Sequence, residues 1–178
     1  MARRALTGAL LVGGASTRFG SPKALARYRG ETLAERGWRV LGELCEEQIA
    51  VGKASDRLDL PFPLTDDGSE VRAPIAGVVA ALRAAQHEAC VILPVDCPLV
   101  TTQLLASLAD ACADAVLPQT GPLPGAYRKS ALPALERSLA EGKLSLRTAL
   151  GQVNVAVVRC DESLLTNVNT RDDLRRLG

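Results

Sequence analysis

Short apolar segments recur along the chain and alternate with segments whose apolar residues are spaced three or four positions apart. Residues 6–12 and 90–95 are rich in Leu, Val, Ile and Ala, and each runs into a turn-forming segment, which is typical of strands buried in a parallel sheet. The segment after Thr32 instead repeats apolar residues at helical spacing, from Leu33 to Leu44. This alternation predicts βαβ units, in which helices cover a largely parallel sheet.

The same reasoning divides the whole chain into alternating elements within one predicted domain, residues 1–178. The predicted strands span 6–12, 48–51, 62–64, 90–95, 115–117, 126–127 and 153–158. The predicted helices begin at Thr32, Pro74, Thr101 or Thr102, Ser130, Leu146 and Thr170. We therefore expect a three-layer α/β/α, Rossmann-like domain with a mostly parallel sheet.

The composition is that of a globular protein, with 47% hydrophobic and 23% charged residues, and the low aromatic content of 3% predicts an aliphatic core. The net charge of +1 argues against a nucleic-acid partner, which usually requires a clear basic excess. No apolar run is long enough to span a bilayer, so no membrane association is expected. Two arginines precede the first apolar segment, but that segment is too short for a secretory leader, and we expect a cytoplasmic protein.

Ligands of open α/β sheets bind outside the carboxyl ends of the strands, so the loops that follow the strands are the candidate sites. After the first strand, Gly13 and Gly14 allow backbone N–H groups to approach an anion closely, and Arg18 and Lys23 supply positive charge for phosphates. The spacing matches neither a P-loop nor a dinucleotide-binding fingerprint. An ordinary glycine-rich turn with solvated cations is the alternative.

Two further loops carry candidate chemistry. Asp96 ends the buried strand 90–95, where a carboxylate can hold a divalent cation together with phosphate oxygens, or simply stabilise the turn. Asn167 and Asn169 lie on the same side of an extended segment and suit either a polar heterocycle or a phosphate, although capping of the last helix explains them as well. Cys97, beside Asp96, fits a small buried thiol.

The string Gly-Gly-x-Ser-x-Arg-x-Gly-x-x-Lys at 13–23 resembles the signature of nucleotidyltransferases of the molybdenum-cofactor type. The molybdenum cofactor guanylyltransferases are the best match, and the likeness continues through 73–77, 93–98, 142–146 and 167–174, nearly the whole chain. The resemblance implies a nucleotide-diphospho-sugar transferase-like fold. It also implies transfer of GMP from GTP to the terminal phosphate of molybdopterin or Mo-molybdopterin, with Mg²⁺ as the cofactor and release of pyrophosphate. Proteins of molybdenum insertion and molybdoenzyme maturation are the protein partners that it suggests.

The resemblance also assigns roles to residues at matching positions. The implied catalytic residues are Lys23, Arg18 and Asp96, and Asp96 is the implied metal ligand. The implied nucleotide-binding residues are Leu11, Val12, Gly13, Gly14, Lys23, Asp66, Gly77 and Asp96, with Asp67 as an alternative to Asp66. The implied acceptor-binding residues are Asn167 and Asn169.

Gly13 and the segment 74–77 favour GTP over CTP, because the cytidylyl relatives carry Ala at the first glycine and lack the Pro-Leu-Ala-Gly pattern. The chain departs from the family at several positions, among them Val12, Pro22, Gly52 or Lys53, Ala73 and Arg171. Three alternatives stay open: a cytidylyltransferase on the same cofactor, a guanylyltransferase on another small phosphorylated acceptor, and a non-catalytic carrier of GTP or cofactor. The one histidine, His87, has no acid or serine at a spacing that indicates a catalytic triad.

Overall fold

The computed structural model describes residues 2–13, 19 and 22–178. Its strands are β1 (Arg4–Leu11), β2 (Arg27–Tyr28), β3 (Glu31–Thr32), β4 (Cys45–Gly52), β5 (Leu64–Asp66), β6 (Ala89–Pro94), β7 (Ala115–Pro118), β8 (Gly125–Arg128) and β9 (Val155–Val158). Its α-helices are α1 (Leu33–Leu44), α2 (Pro74–Ala84), α3 (Thr102–Asp110), α4 (Leu132–Ala140), α5 (Leu146–Leu150) and α6 (Arg171–Arg176). Strands and helices alternate along most of the chain; the exceptions include the consecutive strands β2–β3 and β7–β8 and the consecutive helices α4–α5.

The central sheet has seven strands in the order β5-β4-β1-β6-β8-β7-β9. β5, β4, β1 and β6 are parallel neighbours, β8 is antiparallel to both β6 and β7, and β9 is parallel to β7. β8 is therefore the one strand of this sheet that runs against the others, and the predicted fold class is confirmed.

Hydrophobic side chains on the two faces of the sheet form two separate cores. On β1, Leu6 and Leu10 pack with α1 and α3 in one core, whereas Ala9 and Leu11 pack with α2, α4 and α5 in the other. Because successive residues of a strand point to opposite faces, a strand that is apolar throughout serves both cores. The result is the three-layer arrangement, with the carboxyl ends of the parallel strands at one edge.

Local sequence signals place several helix starts correctly. Thr32 and Glu35 form the predicted capping box of α1, and Thr170 with Asp173 forms another at the start of α6. Thr101, one of the two predicted candidates, caps α3 through its hydroxyl, which accepts the backbone N–H of Leu104. Among the described residues, no helix has the length and apolar character needed to cross a lipid bilayer.

Some element ends shift by two or three residues, so that β4 starts at Cys45 rather than at 48 and α4 at Leu132 rather than at Ser130. Two further features differ from the prediction. The third strand is Leu64–Asp66 rather than 62–64, because Phe62 stacks on Trp38 of α1 with ring centroids 4.0 Å apart instead of joining the sheet. The hairpin of β2 and β3 was not predicted. Its turn places Arg29 and Gly30 at φ 49° and 90°, the left-handed conformation that a two-residue hairpin turn requires and that arginine seldom adopts.

Candidate active site

A cleft of about 710 Å³ lies at the carboxyl ends of the parallel strands. Leu11, Gly52 and Pro94, the last residues of β1, β4 and β6, line its floor. Residues after β5 and the start of α2 form one wall, and the loop from β7 to β8 with the start of α5 forms the opposite wall. The cleft thus occupies the place where open α/β sheets bind ligands.

Lys23 joins the three loops that the sequence singled out. Its ammonium lies 3.2 Å from Asp96 Oδ2 and 3.2 Å from Asn169 Oδ1, and it opens the 3-10 turn Lys23–Leu25. The ion pair is largely shielded, since the Lys23 side chain is 16% exposed and that of Asp96 is 26% exposed. An ammonium in the cleft lining therefore lies between two oxygen acceptors.

The loop after β6 is tied to the segment 167–169 by two hydrogen bonds. The backbone N–H of Val168 donates to the carbonyl of Asp96 at 2.8 Å. The thiol of Cys97 lies 2.9 Å from Asn167 Oδ1 and 3.8 Å from Asp96 Oδ1. Burial, followed by the neighbouring Asp96 charge, raises the pKa of the Cys97 thiol. Asn167 lines the cleft, and Asn169 enters the site through its bond to Lys23.

The oxygen donors at this junction are the kind that hold a hard divalent cation. The described residues contain no group of three or more His, Cys, Asp or Glu side chains that would form a metal site by themselves. Asp96 offers one carboxylate and Asn169 a carboxamide oxygen, and both already bind the ammonium of Lys23. A site with one carboxylate suits a cation that is completed by water and by phosphate oxygens of a substrate.

Lys53 and Asp67 form a buried ion pair in the wall beside β4 and β5. Lys53 Nζ lies 2.7 Å from Asp67 Oδ1 and also donates to the carbonyl of Ser69. Both side chains line the cleft. From sequence, Asp67 is the alternative to Asp66, and Gly52 or Lys53 is a departure from the family.

Asp66, the first choice from sequence, does not line the cleft. Its two carboxylate oxygens accept the backbone N–H groups of Ala54 at 2.6 Å and Gly68 at 2.8 Å. These hydrogen bonds lower the pKa of the Asp66 carboxyl. Asp66 ends β5 with its carboxylate engaged by the backbone, so Asp67, which lines the cleft, is favoured as the acid that meets a ligand.

Gly13 and Gly77 permit close approaches at the cleft. A Cβ on Gly13 would lie 3.4 Å from the Cα of Gly52, so the ends of β1 and β4 leave room for a methyl group and little more. A Cβ on Gly77 would lie 3.2 Å from a methyl group of Leu11, so the glycine lets α2 pack tightly against β1. Leu11, Val12, Gly13 and Gly77 all line the cleft, as the resemblance implies for nucleotide-binding residues.

The opposite wall contains residues outside the three loops singled out from the sequence. Thr120 and Leu123 belong to the loop after β7, Leu144 lies just before α5, and Arg147 lies in its first turn. None of the described residues pairs with the Arg147 guanidinium, and Leu144 is one of the few large apolar side chains that remain exposed. The position of the 120–123 loop after the carboxyl end of a strand was a usable signal that the sequence interpretation did not follow up.

Two candidate site residues and the one histidine have not yet been described. Gly14 and Arg18 lie outside the described residues. His87 does not line the cleft; its imidazole is 4.0 Å from Glu46 Oε2, and its backbone N–H donates to the Thr7 hydroxyl.

Comparison with known families gives a match over most of the chain. The sequence profile described as "MobA-like NTP transferase domain" matches residues 8–157. The "Molybdenum cofactor guanylyltransferase" of Pseudomonas putida is 33% identical, and the alignment covers 93% of this chain and 94% of that protein. The "Probable molybdenum cofactor guanylyltransferase" of Chloroflexus aggregans is also 33% identical, with 96% of this chain and 92% of that protein covered.

A solved structure has a similar fold over nearly the full length of this chain. The crystal structure of "Molybdopterin-guanine dinucleotide biosynthesis protein A" from Archaeoglobus fulgidus superposes with a TM-score of 0.79 at 29% identity. The superposition covers 96% of this chain and 95% of that chain.

Proposed function

Because the chain belongs to the family of MobA-like NTP transferase domains, we propose that it transfers the GMP moiety of GTP to the terminal phosphate of molybdopterin. The products are molybdopterin guanine dinucleotide and pyrophosphate. The chain is a nucleotidyltransferase of molybdenum cofactor biosynthesis, and GTP and molybdopterin are its substrates.

The Lys23 junction is the observation that best supports this chemistry. The reaction brings a phosphate anion to a triphosphate, so positive charge must offset repulsion between the two reactants. Lys23 places an ammonium in the cleft lining, 3.2 Å from both Asp96 and Asn169. A nucleotide on one wall and an acceptor on the other would both reach that charge.

The transfer requires positioning more than proton removal. An oxygen of the acceptor phosphate attacks the α-phosphorus, the bond from that phosphorus to the oxygen bridging to the β-phosphorus breaks, and pyrophosphate leaves with the electron pair. The nucleophile is already an anion, so no general base is needed. This agrees with the position of His87 outside the cleft.

The wall beside β4 and β5 is proposed to hold the nucleotide. Asp67 presents a carboxylate to the cleft, and Lys53 engages only one of its oxygens, Oδ1. A carboxylate oxygen is an acceptor for the N–H groups of guanine, which adenine lacks at the corresponding edge. The missing side chain of Gly13 leaves the adjoining floor open to a purine.

The opposite wall is proposed to hold the acceptor. Arg147 supplies a guanidinium suited to a phosphate, and Leu144 supplies an apolar surface suited to one face of a flat ring system. Asn167 lies between this wall and Asp96. We assign Asn167 and Asn169 to the acceptor side, as the sequence resemblance implies.

Enzymes that transfer nucleotides generally use a divalent metal, and we propose Mg²⁺ here. Asp96, with the oxygen of Asn169, has the donor chemistry to hold it beside substrate phosphates. When bound, the ion supplies positive charge that offsets the negative charge of the phosphates.

The test is release of pyrophosphate from GTP, CTP or ATP with molybdopterin as the acceptor, with and without Mg²⁺. We expect release with GTP that EDTA abolishes and that added Mg²⁺ restores. Lys23→Met should lower kcat by about 10²- to 10³-fold because it removes the central charge. Lys129→Met, at the far end of the sheet, should leave kcat unchanged.

Each alternative function predicts a different result of the same assay. Release with CTP instead of GTP would identify a cytidylyltransferase. Release only with another small phosphorylated acceptor would retain the guanylyl transfer and reject molybdopterin. Binding of GTP with no release for any acceptor would indicate a carrier and would reject the proposed reaction.

A further inference from the structure

Cys97 is a buried thiol at the active site for which the transfer chemistry has no use as a nucleophile. It follows Asp96 directly and is 5% exposed. Its Sγ lies 2.9 Å from Asn167 Oδ1, which is closer than its 3.8 Å distance to Asp96 Oδ1. The thiol therefore contacts the side chain of a cleft residue that lies 70 positions away in sequence.

The chemistry of the two groups determines which is the donor and which is the acceptor of this hydrogen bond. A carboxamide oxygen can only accept a hydrogen bond, so the thiol hydrogen must lie between Sγ and Oδ1. Because the thiol holds Oδ1, only the two N–H donors of the Asn167 side chain remain available to a ligand. No described residue accepts from that amide nitrogen, and Asn167 lines the cleft.

The backbone holds the two loops together independently of the thiol. The N–H of Val168 donates to the carbonyl of Asp96 at 2.8 Å, and the Val168 side chain is fully buried. Loss of the thiol would therefore leave the loops in place while it frees the carboxamide to rotate. Replacement of Cys97 should therefore change the orientation of the Asn167 side chain without changing the fold.

We propose that Cys97 is a positioning residue that orients the Asn167 carboxamide so that its N–H donors face the acceptor phosphate. The proposal rests on the proposed function, which places the acceptor on this side of the cleft. Amide N–H groups suit an anionic phosphate, whereas a carboxamide oxygen in the same place would repel it. Without the thiol, the Asn167 carboxamide could turn either its oxygen or its N–H groups towards the phosphate.

The first test compares Cys97→Ala, Cys97→Ser and Cys45→Ala in steady-state assays of pyrophosphate release. Cys45 is the matched control, because its thiol is as deeply buried but packs against Gly8, away from the cleft. We expect Cys97→Ala to raise the KM for the acceptor about fivefold, the effect of one lost hydrogen bond, with the KM for GTP within about twofold of wild type. Cys97→Ser keeps a donor and should recover most of the loss.

The second test does not depend on activity. In ¹⁵N-labelled protein, the NMR signals of the Asn167 side-chain NH₂ should shift and exchange faster with solvent in Cys97→Ala. The same signals should return towards their wild-type positions in Cys97→Ser and should be unaffected in Cys45→Ala.

The outcomes separate this proposal from the proposed function. Unchanged Asn167 signals in Cys97→Ala would overturn the positioning role, as would an acceptor KM no different from that of Cys45→Ala. If wild type releases no pyrophosphate but the Asn167 signals respond to Cys97→Ala and recover in Cys97→Ser, the positioning role stands and the proposed function fails.

Discussion

Lys53 and Asp67 form an ion pair of 2.7 Å in which both side chains are about nine-tenths buried, the Lys53 side chain being 10% and that of Asp67 9% exposed. A charge buried to this extent is tolerated only with a partner, and the removal of one partner leaves the other uncompensated. The wall of the cleft therefore depends on both residues together.

Lys53→Met should lower the free energy of unfolding by about 3 kcal/mol, because it leaves the Asp67 carboxylate buried without its cation. Urea unfolding checks this value. Arg72→Met is the matched control, since the Arg72–Asp56 pair has the same 2.7 Å separation but is far more exposed and should cost at most about 1 kcal/mol. Equal losses in the two variants would contradict the prediction, and Lys53→Met combined with Asp67→Leu should recover part of the stability.

Asp66 should make stability depend on pH in the acid range. Its pKa is lowered in the folded protein by the N–H groups of Ala54 and Gly68, so its contribution is present above the ordinary aspartate pKa of about 3.9 and is lost as the pH falls through the lower folded-state value. Asp66→Asn should thus be less stable than wild type at pH 7, and the gap should close on acidification. Thermal melts from pH 7 to pH 2 measure this difference in stability, and Asp59→Asn, at an exposed position, is the control. A gap that stays constant with pH would refute this assignment.

Gly13→Ala tests the basis of nucleotide choice. A methyl group fits at 3.4 Å from Gly52, so the variant should fold normally, but the methyl group narrows the floor beside the proposed base site. We expect the ratio of kcat/KM for GTP to that for CTP to fall about tenfold, the size of effect expected from one methyl group. Gly121→Ala, on the opposite wall with open space around its Cβ, should leave the ratio unchanged. If the ratio is unchanged in Gly13→Ala, Gly13 has no role in the choice of base.

Arg147→Met should raise the KM for the acceptor about tenfold with little change in the KM for GTP, because a charged hydrogen bond to a phosphate is lost on the acceptor wall alone. Steady-state kinetics with each substrate varied in turn separates the two effects. Arg159→Met, an exposed arginine outside the cleft, is the control. An equal rise in both KM values would place Arg147 nearer the nucleotide than proposed.

Much of the fold follows from short-range signals, and the exceptions have physical causes. Continuous apolar segments identified β1 and β6 because these strands serve both cores. The sequence did not reveal the direction of β8, because four residues carry no signal of strand polarity and their pairing with β6 decides it. The segment around Phe62 was misplaced because an aromatic residue between two prolines packs on a helix as readily as it joins a sheet.

The site was predictable where residues follow strands and less so elsewhere. Lys23, Asp96 and Asn169 were expected at one edge of the sheet, and the structure brings them within hydrogen-bonding distance. The choice between Asp66 and Asp67 could not be made from sequence, because adjacent residues leaving a strand face different directions. The pairing of Gly52 with Asp66 fixes which of the two enters the cleft.

The order of the strands on the two sides of β6 also has an evolutionary consequence. The elements proposed to hold the nucleotide, β4, β5 and α2, lie on one side of β6, and the elements proposed to hold the acceptor, the loop after β7 and α5, lie on the other. Insertions or substitutions in the second group leave the register of the parallel half untouched. Selection can therefore change the acceptor by altering a loop and a five-residue helix, while the half proposed to bind the nucleotide stays unchanged.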